Sequence, residues 1–453
     1  MLKRPSHSLL RVLGVTFGLA VTVGNTVGAG ILRAPGEVAA RVPGLGLYLG
    51  VWIVGGVYAL LGAVSLAELG AMVPRSGGMY VFVHRAMGRY AGFVVGYNDW
   101  IATAGSCAAV SVVIGEYLGI LVPALGGAGA AVAVATVAAF AVLQWQGIRA
   151  SGRTQELTSL LKALVLLALV VACFVLPSTS PAPATKVAAP ALSLGALVIA
   201  LQAVFYTYDG WTGILYFGGE VKDPARDIPR SMFGGVLAVM AIYLLLNLAF
   251  LYVVPLPALR GEPLAAGAAA RSLWGAAGDT VVRTVVVLGL LSSVNALLLM
   301  APRVIFAMSR DGLCAERVSV VNRGGTPTGA LLASLVVAVA FIASGSFDEI
   351  IAVLAFFFVA NYVLAAAAVF VLRRREPDTP RPYRAWGYPW TTGITLAGSL
   401  AFLAGSVLGD TRHSVYALLL LAVSYPVYLL SERALRGRER AASPPRPSEP
   451  LEP

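Results

Sequence analysis

The stretch Gly24-Asn25-Thr26-Val27-Gly28-Ala29-Gly30-Ile31 interrupts the first long apolar run of the chain, which extends from Leu9 to Ala40. Three glycines and two polar side chains stand near the middle of a run that is otherwise long enough to cross a bilayer. A second interruption, Tyr206-Thr207-Tyr208-Asp209-Gly210-Trp211, lies at a similar depth in the sixth apolar run. Irregular backbone at membrane depth persists only where it lines a cavity or is buried in protein. The two stretches therefore predict a cavity between two broken helices.

The composition places most of the chain in lipid. Of 453 residues, 58% are hydrophobic and 12% are charged, whereas about a quarter of the residues of a soluble domain are charged. The net charge of +11 would suggest nucleic acid in a soluble protein, but here the basic residues lie in short loops between apolar runs. We expect no nucleic-acid partner, no cofactor and no metal. The three cysteines fit neither metal nor disulfide spacing and are interpreted as packing residues.

Apolar runs of about twenty residues predict an all-α integral membrane protein with about twelve transmembrane helices. The predicted spans are Leu9–Ala40, Leu45–Met72, Tyr90–Val122, Gly129–Trp145, Leu157–Leu176, Leu194–Gly219, Met232–Val254, Thr280–Met308, Ala330–Ser344, Ile350–Leu372, Thr391–Leu408 and Ser414–Leu430. They make up a transmembrane domain over residues 1–431. The charged and then Pro-rich residues 432–453 are expected to be a disordered cytoplasmic tail.

The distribution of Lys and Arg predicts the orientation of the spans. With a cytoplasmic N-terminus and twelve spans, roughly 25 of the 33 basic residues fall on the cytoplasmic side. A missed or additional helix would remove this bias. The sequence therefore predicts a multi-pass protein of the cell membrane with both termini in the cytoplasm.

The helix dipoles at the two breaks indicate what the cavity would bind. Where the first helix restarts at Ala29-Gly30-Ile31, free N–H groups attract an anion such as a carboxylate. The carbonyls around Val23–Thr26 and Phe205–Thr207 can accept hydrogen bonds from an ammonium group. Such a site suits a zwitterion. The alternative is that the glycines only permit close helix packing, but two breaks five helices apart match the inverted repeats of secondary transporters.

Further motifs follow the spans in a fixed order. They are Gly28-Ala29-Gly30-Ile31, Pro74-Arg75-Ser76-Gly77-Gly78-Met79-Tyr80, Tyr208-Asp209-Gly210-Trp211, Glu220-Val221-Lys222-Asp223-Pro224, Ser309-Arg310-Asp311-Gly312 and Arg381-Pro382-Tyr383-Arg384 with Gly387-Tyr388-Pro389. Each motif alone is weak, but their order and spacing from Gly24 to Pro389 are specific. Together they resemble the amino acid–polyamine–organocation (APC) superfamily of amino acid permeases.

This resemblance implies the LeuT fold, a 5+5 inverted repeat with broken helices 1 and 6. The repeats would be residues 9–176 and 194–372, and residues 391–430 would form two peripheral helices, 11 and 12. The resemblance also implies secondary active transport of amino acids by alternating access. Carried over to this sequence, the substrate-binding residues are Thr26, Gly28, Ala29, Gly30, Ile31, Tyr206, Asp209, Gly210 and Trp211. The family often has Ser where this chain has Ala29, which leaves carboxylate recognition to N–H groups.

The resemblance also indicates coupling residues. Lys162, a lone cation in the fifth span, matches a lysine that sits against the first break in proton-coupled and exchanging relatives, where sodium-driven relatives hold sodium. Ser293 matches an eighth-span position near that lysine. The alternatives are that Lys162 extends its stem to water and that Ser293 makes an ordinary interhelical hydrogen bond.

The expected function is transport of a neutral amino acid by proton symport or exchange, because no acidic side chain is clearly aimed at a cationic substrate. A carrier of cationic amino acids or polyamines is the alternative, and it requires that Asp209 face the cavity rather than cap the helix restarting at Gly210. A sodium symporter and a non-transporting membrane sensor or subunit remain rival interpretations. An enzyme is not expected, because no paired catalytic residues appear at one depth.

Overall fold

The protein is described by a computed structural model over residues 9–177, 190–344, 347–409 and 411–442. Helix accounts for 80% of it, and the described ranges contain no strand. This is the expected outcome in lipid, because a helix satisfies its backbone hydrogen bonds within one segment. The α-helices are α1 (Val15–Thr26), α2 (Gly30–Ala39), α3 (Leu45–Met72), α4 (Met79–Met87), α5 (Arg89–Leu121), α6 (Gly129–Trp145), α7 (Ile148–Val175), α8 (Leu194–Thr207), α9 (Pro224–Val253), α10 (Leu256–Leu259), α11 (Ala265–Trp274), α12 (Gly278–Arg310), α13 (Thr328–Ser344), α14 (Phe347–Arg375), α15 (Trp390–Gly409) and α16 (Thr411–Ala442).

Seven helices of the described ranges are long and apolar enough to cross a membrane. The pair α1 and α2 raises the number to eight if it is counted as one span with a bend of 49°. The helices α6, α8 and α13 are apolar but shorter. The chain is thus an all-helical, multi-pass membrane protein. Each of the twelve predicted spans overlaps a helix, but the full count of twelve spans stays a prediction.

The structure refines three predicted boundaries. Within the sixth span, which was expected to be broken at Tyr206–Trp211, α8 ends at Thr207 and a 3₁₀ helix follows at Gly213–Tyr216. The fifth helix begins at Ile148, nine residues before the apolar run, because its polar first turns are helical as well. Helix α16 runs on to Ala442, into the stretch expected to be disordered, and residues 443–453 lie outside the described ranges.

Helix α5 occupies the centre of the bundle and packs against α12, α14, α6, α4 and α13. The helix contacts come in matched pairs when α5, α6 and α7 of the first half are taken to correspond to α12, α13 and α14 of the second half. The α5–α6 contact then corresponds to α12–α13, the α5–α14 contact to α12–α7, and the α5–α13 contact to α12–α6. This pattern supports the predicted repeat, which remains a proposal.

A buried ion pair ties α12 to the segment after the second break. Arg303 Nε and Nη2 donate to Glu220 Oε2 and Oε1 at 2.5 and 2.8 Å, and the two side chains are 3% and 0% exposed. The backbone carbonyl of Glu220 accepts from the amides of Val12 and Leu13. The segment before α1 is thereby attached to the segment that follows the break after α8.

A second ionic cluster surrounds Glu68 at the end of α3. Its carboxylate, which is 0% exposed, lies 2.5 Å from Arg373 and 3.1 Å from Arg381. The amide of Ala385 also donates to it at 2.7 Å. These contacts fix the linker between α14 and α15 against α3.

Candidate functional site

The first break separates α1 from α2. Helix α1 ends at Thr26, and α2 begins at Gly30 with a 49° change of direction. In the described residues, no hydrogen-bond acceptor lies against the amides of Gly28, Ala29, Gly30 and Ile31. Free N–H groups are inherent to the first turn of a helix. A Cβ atom added at Gly28 would meet no atom within 4 Å, so the backbone is open to the cavity here.

The second break packs directly against the first. Gly210 has a φ of +114°, a conformation that glycine adopts without steric cost. A Cβ atom there would lie 2.8 Å from Asn25 Nδ2 and 2.9 Å from the amide nitrogen of Thr26. Asn25 Nδ2 donates to the carbonyl of Gly210 at 3.3 Å. Only glycine therefore fits where the two breaks meet.

A cavity of about 130 Å³ lies at these breaks. It is lined by seven of the nine substrate-binding residues predicted from the sequence, Thr26, Gly28, Ala29, Gly30, Tyr206, Asp209 and Gly210. Ser293 lines it as well. Its apolar lining comes mainly from Val110, Val113, Leu290, Leu297, Met300 and Phe358. The cavity thus combines backbone amides with aliphatic and aromatic walls.

Two predicted residues, Ile31 and Trp211, do not line this cavity. The side chain of Ile31 is 0% exposed and belongs to the hydrophobic core. Trp211 stacks on Tyr362, with ring centroids 5.4 Å apart and planes 13° from parallel. It lines a neighbouring cavity of about 40 Å³. Their contribution to a site in the larger cavity is therefore through packing.

Lys162 reaches the first break from α7 and is 1% exposed. Its Nζ donates to the carbonyls of Gly24 and Val27 at 2.8 and 2.6 Å and to Ser293 Oγ at 2.9 Å. Ser293 Oγ in turn donates to the carbonyl of Gly24 at 2.9 Å. The ammonium group is thus buried against the break, and its stem does not extend to water. Lys162 does not line the cavity; Ser293 lies between them.

Protein side chains already occupy several of the carbonyls that were expected to accept from a substrate ammonium group. The Oη of Tyr243 on α9 lies 2.8 Å from the carbonyl oxygens of both Thr26 and Thr207. The carbonyl of Gly24 accepts from Lys162 and Ser293. The expectation that the carbonyls just before each break are free to bind a substrate ammonium group is corrected accordingly.

Asp209 faces the cavity between the two breaks. Tyr362 Oη, on α14, donates to Asp209 Oδ1 at 2.5 Å. No α-helix restarts at Gly210, since the chain forms turns and then the 3₁₀ helix Gly213–Tyr216. Capping of a restarted helix, one of the two predicted roles of Asp209, therefore has no helix to act on.

Sequence reasoning singled out Tyr206 but missed three other tyrosines at the site. Tyr362 and Tyr216 line the cavity, and Tyr243 bridges the breaks. A buried tyrosine hydroxyl needs a hydrogen-bond partner, which is the signal that could have singled out a tyrosine in the middle of an apolar span. The sequence alone does not identify the hydrogen-bond partner of each tyrosine, because the contacts join residues that are far apart in the sequence.

The chain is similar to known amino acid carriers over nearly its whole length. The sequence profile of the family described as "Amino acid permease" matches residues 8–429. The serine/threonine exchanger SteT of Bacillus subtilis (strain 168) is 28% identical over 431 residues, covering 93% of this chain and 97% of that protein. The branched-chain amino acid permease BcaP of the same organism is 29% identical and covers 86% of each chain.

A mammalian relative shows the same likeness at lower identity. The b(0,+)-type amino acid transporter 1 of Mus musculus is 25% identical over 387 residues, which is 83% of this chain and 79% of that protein. These relatives are transporters rather than enzymes, and the profile match extends from before the first break to the end of the last predicted span. The chain belongs to the amino acid permease family.

Proposed function

We propose that this permease carries amino acids across the cell membrane by alternating access, as a proton symporter or an exchanger. The observation that carries the proposal is the cavity between the two breaks, with free amides at the start of α2 and the Lys162 ammonium group behind the first break. The substrate carboxylate would bind the amides of Gly28, Ala29 and Gly30, because a helix N-terminus favours an anion.

The coupling role is proposed for Lys162 and Ser293. An ammonium group that donates to two break carbonyls fixes the shape of the site where the carboxylate would bind. Its removal or neutralisation would change the hydrogen bonding of the break itself. Proton loss from Lys162 would thus link proton movement to substrate affinity.

The substrate is proposed to have a neutral side chain. The wall formed by Val110, Val113, Leu297 and Phe358 is apolar, and burial of an aliphatic side chain against such a wall is favourable. The position of Asp209 supports a second candidate, an amino acid with a cationic side chain, because its carboxylate faces the cavity. In the neutral case, Asp209 would orient Tyr362 instead.

The experiment is uptake into proteoliposomes of the purified protein. A labelled neutral amino acid is supplied with and without a proton gradient, and with and without amino acid inside, and unlabelled neutral and cationic amino acids compete. Saturable uptake that requires the gradient or the internal substrate supports the proposal. Uptake driven by sodium alone would refute the coupling, and absence of uptake for every amino acid and polyamine would refute the transport proposal.

Matched variants sharpen this test. Lys162→Met removes the buried ammonium group, whereas Lys222→Met removes an exposed one just before α9. We expect the first variant to lose coupled uptake and the second to keep it. Equal uptake by both variants would show that Lys162 has no coupling role.

The orientation with both termini in the cytoplasm is also proposed. It rests on the loop distribution of Lys and Arg. Single cysteines placed in the loops of a variant lacking the three native cysteines, and labelled from one side of intact cells, would test it. Labelling of the loop at Lys222 from outside would overturn it.

A further inference from the structure

A carboxylate outside the predicted site is buried beside the cavity. Asp99, on α5, is 0% exposed. Tyr216 Oη donates to its Oδ1 at 2.6 Å, whereas its Oδ2 has no hydrogen-bond partner in the described part of the chain. A buried carboxylate with an unpaired oxygen is costly unless a proton or a cation neutralises it. An ionisable residue within a membrane segment is a candidate functional group for this reason.

No positive side chain of the described elements forms an ion pair with Asp99. The charged and titratable groups on the elements packed around it have other partners, or are the partner itself. Among them are Arg303 of α12, bound to Glu220; Arg283 of α12, bound to Asp279; Tyr80 of α4, bound to Asp311; Arg85 of α4, bound to Glu376; Tyr362 of α14, bound to Asp209; Arg89 at the start of α5, bound to Glu432 of α16; and Tyr216, bound to Asp99 itself. The negative charge of Asp209 acts on Asp99.

The ionised form of Asp99 is also stabilised by the backbone next to it. A Cβ atom at Gly78, which precedes the first residue of α4, would lie 3.1 Å from Asp99 Oδ2. The unpaired oxygen therefore lies beside the N-terminal end of that helix, where a negative charge is favoured. Thr103, one turn further along α5, lines the cavity with a buried hydroxyl that interacts with the Asp99 carboxylate. Burial opposes the charge, whereas Tyr216 and α4 stabilise it, so the carboxyl group can exist in both states.

We propose that Asp99 is a proton-binding site, separate from Lys162, and that Tyr216 links it to the substrate cavity. The proton enters from water, forms an O–H bond at Oδ2 and returns to water when that bond breaks. Tyr216 connects Asp99 to the cavity because its side chain both lines the cavity and donates a hydrogen bond to Asp99. The transport readout of this inference rests on the proposed function.

Protonation changes the attachment of the second break. Tyr216 ends the 3₁₀ helix Gly213–Tyr216, and its carbonyl accepts from the amide of Gly77 at 3.1 Å. With Asp99 ionised, the bond from Tyr216 is charge-assisted and about twice as strong as the bond to a neutral carboxyl group. Protonation of Asp99 thus weakens the hydrogen bond that joins the 3₁₀ helix to α5. The equilibrium constant for separation of the 3₁₀ helix from α5 rises by about tenfold.

The first experiment detects the proton without requiring transport. Infrared difference spectra of the full-length protein in liposomes are recorded between acidic and neutral pH, and the carbonyl stretch of a protonated carboxyl group is followed. We expect a band that is lost in Asp99→Asn and kept in Glu116→Gln, which alters an exposed carboxylate on the same helix. A spectrum of Asp99→Asn identical to that of the unaltered protein overturns the inference.

The second experiment measures amino acid exchange as a function of pH in proteoliposomes. The Asp99→Asn variant resembles the protonated state, so we expect its exchange rate to lose the part of the pH dependence that comes from Asp99, while any part that comes from Lys162 remains. In Tyr216→Phe, we expect the midpoint of the pH profile to move to higher pH, because the ionised form has lost a donor. An exchange rate of Asp99→Asn with an unchanged pH profile refutes the proton site. An exchange rate of the unaltered protein that depends on sodium rather than on pH refutes it as well. Absence of exchange in the unaltered protein refutes the proposed function, and the infrared band still decides the role of Asp99.

Discussion

Replacement of Lys162 by Met keeps the length of the side chain but removes its ammonium group. Three hydrogen bonds are lost, to the carbonyls of Gly24 and Val27 and to Ser293 Oγ. Hydrogen bonds that involve a charged group contribute about 1.5–3 kcal/mol each, so the loss amounts to roughly 5–9 kcal/mol. Several kcal/mol of this loss is offset, because the variant no longer buries an ammonium group.

The net effect of Lys162→Met is therefore a loss of about 3 kcal/mol at the first break. The carbonyl of Gly24 keeps its bond from Ser293, so the loss concentrates at Val27. If the break must hold this shape to bind a carboxylate, about 3 kcal/mol corresponds to roughly a hundredfold weaker binding.

The assay is equilibrium binding of a labelled substrate to the purified protein, with the melting temperature of each variant as a check on folding. Ser293→Ala is the graded control, because it removes one donor to Gly24 while Lys162 remains. We expect the order of affinity to be unaltered protein, then Ser293→Ala, then Lys162→Met. A Kd for Lys162→Met within about threefold of the unaltered value would refute the reasoning.

Three further predictions concern the cavity and the ion pair near it. Gly28→Val should abolish substrate binding with little change in melting temperature, because the added side chain would extend into the open space of the cavity. Gly24→Ala, in contrast, should unfold readily, because the added Cβ atom would overlap three polar side chains of α7 and α12. Tight substrate binding by Gly28→Val would contradict this prediction. Glu220→Gln should lower stability by about 3–5 kcal/mol, since it leaves Arg303 buried without a counter-ion. The double change Glu220→Gln with Arg303→Met should recover much of that loss in thermal unfolding, and simple addition of the two losses would count against the pair. Asp209→Asn should reduce competition by cationic amino acids more than by neutral ones, and equal inhibition by both classes would remove the cationic candidate.

The sequence was sufficient for the fold class because lipid imposes simple rules. Apolar length predicted helices such as α6 and α3 with the bounds that the structure shows, since a span must satisfy its backbone internally. The same signal failed at the start of α7, because helix continues into residues that are too polar to be counted as a span. After Thr207, glycine and polar residues indicated a break, but they do not specify the turns and the 3₁₀ helix that follow.

The candidate site was predictable only in part. Gly28 and Gly210 could be singled out because glycine beside polar residues in the middle of an apolar span indicates backbone that departs from the helix. The contacts of Lys162 follow from the family resemblance, and its role stays a prediction. Asp99 could not be assigned, because its partner Tyr216 lies 117 residues away and nothing local indicates the pairing. Similarly, nothing in the sequence around Tyr243 indicates that it contacts both breaks.

Tyr243 has one hydroxyl proton but two equidistant acceptors, the carbonyls of Thr26 and Thr207. A single proton cannot be donated fully to both at once, so the two half-helices share it. If one half-helix moves away, the proton can go wholly to the other, and the tyrosine loses no bond. The hydroxyl therefore keeps one full hydrogen bond when either half-helix moves away, so that movement costs little. It would lose its hydrogen bond if both half-helices moved away together, so it opposes that movement.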